Sequence, residues 1–80
     1  MWDNNDYDLG MQLLGYFGYG GYHPGGFLSQ LLTTWSKADH MNKSRLELAF
    51  PELAQLLQRF NSMSPDDFRD SLETQREYTR

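Results

Sequence analysis

The chain has 80 residues with no cysteine, seven basic and eleven acidic side chains, a net charge of −4 and 39% hydrophobic content. A chain of this length buries only about 60–65% of its unfolded surface, so we expect residues 1–80 to form a single domain with a thin core. The length excludes enzyme folds that need a large scaffold, and the lack of cysteine excludes disulfide scaffolds, thiol chemistry and cysteine-based zinc sites.

The first third of the chain predicts one helix followed by a long loop. Capping residues at 4–6 precede apolar residues at helical spacing, which predicts a helix over residues 6–18. All seven glycines lie between Gly10 and Gly26. Residues 18–26 are predicted to be a loop, because glycine favours positive φ angles and Pro24 cannot donate a backbone hydrogen bond.

The next stretch predicts a second helix over residues 26–37. Its apolar stripe consists of Phe27, Leu28, Leu31, Leu32 and Trp35. Asp39 and Asn42 both suit the N-cap of the helix that follows.

Residues 42–60 keep three- and four-residue apolar spacing across Pro51, which fits either one kinked helix or two helices. We favour two, with Pro51 at the first position of the second. A serine cap at Ser64, then Pro65 and Asp67, predicts the start of a last helix. That helix has a narrow apolar face, and residues 76–80 are expected to fray. The chain is therefore predicted to be all-α, a small bundle of four to five short helices.

The aromatic and leucine side chains are interpreted as the core: Trp35, Phe27, Phe50, Phe60 and the leucines. One apolar stripe per helix closes the core of a monomer only marginally, and the chain has twelve aromatic residues. A homodimer that shares their burial is therefore a hypothesis that the composition raises.

The charge distribution argues against nucleic-acid and membrane partners. No stretch has the basic excess that phosphate binding requires, so no nucleic acid is expected. Residues 9–36 carry no charge, but glycine pairs and Pro24 interrupt them, which indicates a turn and not a membrane span or signal peptide. The acids at positions 66, 67, 70, 73 and 77 are interpreted as a solvated helix face, since nearby arginines dilute the charge that nucleic-acid mimicry would need.

Candidate catalytic and metal sites are weak. Metal binding would use His23, His40 and Asp39, but Asp39 is better interpreted as a helix cap. The glycine-rich loop lacks the lysine of phosphate-binding loops. We therefore expect no catalytic residue, no metal, no cofactor and no enzymatic activity.

Residues 24–54 carry a motif pattern that resembles a known group of proteins. The pattern is Pro-Gly-Gly-Phe-Leu at 24–28, then Ala38-Asp39 with Asn42, then Phe50-Pro51-Glu52-Leu53 after Leu46. It resembles short accessory proteins encoded by bacteriophages and prophages. The resemblance implies a phage gene product in the cytoplasm of a bacterial host, and it transfers no catalytic residue.

The tyrosine- and glycine-rich segment of residues 16–22 allows two interpretations. Its aromatics either pack back onto the helices from a flexible connector, or present an exposed binding surface, for which tyrosine is well suited. The leading hypothesis is a non-enzymatic protein-interaction module, a phage accessory factor that binds and modulates a host protein. The alternatives are a self-associating virion or assembly component and a membrane-active protein using residues 9–32. The predicted partner-binding residues are Trp2, Tyr16, Phe17, Tyr19 and Tyr22.

Overall fold

The computed structural model describes the backbone of residues 6–79 and the side chains of residues 7–75. Over this range the chain forms five α helices and no strand, which confirms the all-α prediction. The helices are α1 (Asp6–Tyr16), α2 (Gly26–Lys37), α3 (His40–Ala49), α4 (Pro51–Ser62) and α5 (Pro65–Thr79). The fraying predicted for residues 76–80 stays a prediction, because their side chains lie outside the described part.

Three of the helices build the centre of the bundle. α1 lies against α5 and α4, α4 also contacts α5, and α3 packs on α4. The most deeply buried side chains are Leu9, Leu13, Leu14, Leu53, Leu56, Phe68 and Leu72. They come from α1, α4 and α5. Apart from the adjacent Leu13 and Leu14, successive members of the set on one helix are three or four residues apart, so each helix contributes one apolar stripe to the core.

Helix α2 covers one side of this centre with the stripe predicted for it, and its bounds agree with the prediction. Leu28, Leu32 and Trp35 are buried, whereas Phe27 is 59% exposed. The assignment of Phe27 to the core was therefore wrong. In the first turn of α2 its ring faces that of Phe50, at a centroid distance of 6.4 Å, and lies outside the core.

Local capping signals decide where α3 and α5 begin. The Asp39 carboxylate accepts a hydrogen bond from the Asn42 N–H at 2.9 Å, and the Ser64 hydroxyl accepts one from the Asp67 N–H at 3.1 Å. Both caps were predicted. Asn42 is not a cap, contrary to prediction, because Asp39 starts the helix earlier and Asn42 becomes its donor.

The break between α3 and α4 falls at Phe50, which confirms two helices with Pro51 at the start of the second. Phe50 leaves the helical region at φ −132° and ψ 68°. Its N–H still donates to the Leu46 carbonyl, and its own carbonyl accepts from the Ala54 N–H. The two helices therefore share one residue at the corner without losing its backbone hydrogen bonds. Leu48, near this corner, is 85% exposed, so the expectation that all leucines lie in the core was also wrong.

Candidate protein-interaction site

The site begins where α1 stops, at a Schellman motif. The Tyr19 N–H donates to the Leu14 carbonyl at 2.9 Å, and the Gly18 N–H donates to the Gly15 carbonyl at 3.2 Å. Gly18 has φ +85°, the left-handed conformation that this motif requires and that glycine adopts without strain. The helix therefore ends at Tyr16, two residues before the predicted end, and the chain reverses at once.

After the reversal the glycine-rich loop runs back along α1. The Tyr22 N–H donates to the Met11 carbonyl at 3.0 Å. A Cβ at Gly21 would overlap that carbonyl oxygen, and a Cβ at Gly15 would overlap the carbonyl oxygen of Tyr22. Glycine at both positions lets two backbone segments lie in direct contact, so the loop is attached to α1 by main-chain contacts and is not a loose connector.

Arg69 of α5 holds the same loop from the other side. Its guanidinium donates to the Tyr19 carbonyl at 2.8 Å. Its Nε atom is buried without a hydrogen-bond partner. The Tyr19 backbone is therefore held through its N–H by α1 and through its carbonyl by α5, which fixes the position from which the tyrosine ring projects.

The loop presents a set of rings that we call the aromatic surface: Phe17, Tyr19 and Phe60. Phe17 stacks on Phe60 with ring centroids 4.8 Å apart and planes at 14°, and Tyr19 lies 6.0 Å from Phe60. Phe17 is 42% exposed and Tyr19 is 52% exposed. Phe60 is half-buried and meets the buried Phe68 edge to face at 5.3 Å. The exposed rings are thus connected to the core through Phe60.

The other predicted binding residues have different positions. Tyr16 is half-buried, contacts Phe17 edge to face, and shares a 2.8 Å hydrogen bond with the Thr33 hydroxyl. Tyr22 is 43% exposed, and its ring lies 6.3 Å from that of Tyr7. Trp2 lies outside the described residues. The structure therefore brings Tyr16, Phe17 and Tyr19 together and adds Phe60, which the sequence had placed in the core.

A cleft of about 290 Å³ opens beside the aromatic surface, between the end of α1 and helices α2, α3 and α4. Its apolar lining consists of Tyr16, Phe17, Leu32, Trp35, Ala54 and Leu57. Phe17 therefore belongs both to the aromatic surface and to one wall of the cleft.

The rim of the cleft is polar. It consists of the exposed side chains of Ser36, Lys43, Glu47, Gln58 and Asn61. Within residues 7–75, Lys43 and Glu47 form no ion pair, and the amides of Gln58 and Asn61 form no side-chain hydrogen bond. Sequence reasoning missed these residues. The four-residue spacing of Lys43 and Glu47, repeated approximately by Gln58 and Asn61, was the signal that each pair shares a helix face.

Other candidate chemistry finds no assembled site. No group of three histidine, aspartate or glutamate side chains in the described residues is close enough to hold a metal ion. The acids of α5 at positions 66, 67, 70 and 73 are exposed, as predicted for a solvated face, and the side chain of Glu77 lies outside the described part. None of the described helices is both long and apolar enough to cross a membrane.

Comparison of the chain with protein-family models, with curated proteins and with solved structures finds no match in any of the three.

Proposed function

We propose that this chain is a non-enzymatic protein-interaction module that binds a partner protein through the aromatic surface. The observation that carries the proposal is the placement of Phe17 and Tyr19, two large rings about half exposed and held by a loop that is fixed to two helices. Rings that are already ordered lose little conformational entropy on binding, and tyrosine offers both apolar area and a hydroxyl.

The contacts beneath these rings support the proposal. Exposure of an apolar phenylalanine ring to water is unfavourable. The stack on Phe60 buries the ring of Phe17 only in part. Grouped apolar side chains that stay in solvent are typical of interaction sites, whereas scattered single ones are not. Aromatic residues also dominate the energetic centres of protein interfaces.

The biological setting is part of the proposal. The resemblance of residues 24–54 to phage accessory proteins supports a partner that is a host protein in a bacterial cell, which this chain would modulate by occupying one of its surfaces. Enzymatic chemistry plays no part in this proposal, because binding alone would produce the effect.

The experiment is affinity capture with a matched pair of tyrosine variants. Tagged wild-type protein, Tyr19→Ser and Tyr22→Ser are expressed in bacterial cells, and the captured proteins are identified by mass spectrometry. Tyr19→Ser should lose the partner while Tyr22→Ser, whose ring lies beside Tyr7, keeps it. Equal capture by all three proteins, with unchanged helical circular dichroism, would remove the aromatic surface as the binding site.

A further inference from the structure

The cleft beside the aromatic surface has the features of a protein contact more than those of a small-molecule site. Its volume of about 290 Å³ lies just below the range for ligand pockets, about 300–1,000 Å³. Trp35 and Leu32 in its lining are already buried, so they offer little free apolar area to a small ligand. A protein surface that lies across the exposed polar rim gains more contacts than a small molecule inside the cleft.

The charges on the rim indicate which surface could cover it. Lys43 and Glu47 lie one helical turn apart on α3, both are exposed, and neither is in an ion pair within the described residues. A partner with an excess of either charge would gain one attraction and suffer one repulsion. The best complement has an acid opposite Lys43 and a base opposite Glu47, at the same spacing.

A second copy of this chain supplies that complement. In a two-fold symmetric interface, a residue i that contacts residue j of the other copy is matched by residue j contacting residue i of that copy. A surface with one cation and one anion side by side is therefore complementary to itself. Two α3 helices that cross in antiparallel orientation would place Lys43 of each copy opposite Glu47 of the other. The amides of Gln58 and Asn61, which both donate and accept hydrogen bonds, are equally self-complementary.

We propose that two copies of this chain associate through the cleft, with reciprocal Lys43–Glu47 ion pairs across the two-fold axis. The exposed polar rims of the two clefts then face each other across the axis, and their charges and amides make the contact. Tyr19 does not line the cleft, so the dimer presents it twice. This inference goes beyond the proposed function and does not depend on capture of another protein.

The test is a charge exchange measured by sedimentation equilibrium. For the wild type at protein concentrations from about 10 µM to 1 mM, we expect the mass to rise from 9.4 kDa toward twice that value, since solvent-exposed ion pairs contribute little each and the association is weak. Lys43→Glu and Glu47→Lys should each weaken association at least tenfold, because each puts like charges opposite one another. The double variant, Lys43→Glu with Glu47→Lys, should recover wild-type association.

Arg45→Glu is the matched control, because it makes the same change of charge on the same helix but Arg45 does not line the cleft. It should associate like the wild type. Four outcomes overturn the inference: a wild type that stays monomeric at 1 mM, single variants that associate normally, a double variant that does not recover, or an equal loss in Arg45→Glu. Circular dichroism of each variant separates failed folding from failed association, and Trp35 chemical shifts in NMR spectra report directly on the cleft.

Discussion

Substitution of Gly15 by alanine tests whether the glycine-rich loop is attached to α1 as the structure shows. Gly15 lies inside a helix, where alanine is favoured over glycine by about 1 kcal/mol. The helix alone therefore predicts that Gly15→Ala stabilises the protein. Any loop that was free to move aside would leave that prediction intact.

The contacts of Gly15 predict the opposite sign. An added Cβ would overlap the carbonyl oxygen of Tyr22 and lie 2.7 Å from its carbonyl carbon, and both atoms belong to the backbone. To make room, Tyr22 must give up its hydrogen bond to the Met11 carbonyl, about 1 kcal/mol, and its ring contact with Tyr7, about 0.5–1.5 kcal/mol. Overpacking of this kind costs about 1–3 kcal/mol in total. After subtraction of the gain of about 1 kcal/mol in helix propensity, we expect the unfolding free energy of Gly15→Ala to be about 0.5–1.5 kcal/mol lower than that of the wild type.

Urea unfolding followed by helical circular dichroism measures this difference, and Gly26→Ala is the matched control. Gly26 starts α2, and a Cβ there would meet no atom within 4 Å. The control should be unchanged or more stable by up to about 1 kcal/mol. Opposite signs for the same substitution in two helices would support the attachment of the loop to α1. A Gly15→Ala protein as stable as the control would refute it.

Three further predictions concern the Arg69–Tyr19 hydrogen bond, the Asp39 cap and the core. Replacement of Arg69 by methionine keeps the apolar stem but removes the donor to the Tyr19 carbonyl, so amide hydrogen exchange across residues 18–22 should accelerate while α4 stays protected. Asp39→Ala removes the cap of α3 and should lower the unfolding free energy by about 1 kcal/mol in urea titrations. Leu48→Ala should change stability by less than about 0.5 kcal/mol, whereas Leu13→Ala should cost about 2–5 kcal/mol, because Leu48 is exposed and Leu13 fully buried.

The elements that sequence reasoning predicted well are those whose signals are local. The bounds of α2, the Asp39 and Ser64 caps and the helix start at Pro51 depend on residues within one or two turns of each other. A cap needs only its own side chain and an amide three residues later. Such signals depend on no tertiary contact, and the tertiary structure does not override them here.

The site itself depends on contacts that no local pattern contains. Phe27 and Phe60 both continue an apolar stripe, but one faces solvent near a helix corner while the other joins the aromatic surface to the core. The hydrogen bond from Arg69 to the Tyr19 carbonyl joins residues fifty positions apart. The cleft forms only because α3 and α4 turn at Phe50 and place a rim from each beside α2. Helical periodicity shows on which face of its helix a residue lies, but not which other element packs against that face.

The link between the aromatic surface and the core determines how variants at this site should be interpreted. Phe60 stacks on an exposed ring and also contacts Phe68, which is fully buried, so a substitution at Phe60 would change binding and folding stability together. The backbone of Tyr19 is held by hydrogen bonds of its own N–H and carbonyl groups, and about half of its side chain is in solvent. Loss of its ring should therefore remove contact area for a partner while leaving the loop in place. Among the three rings, Tyr19 is the one whose replacement separates recognition from stability.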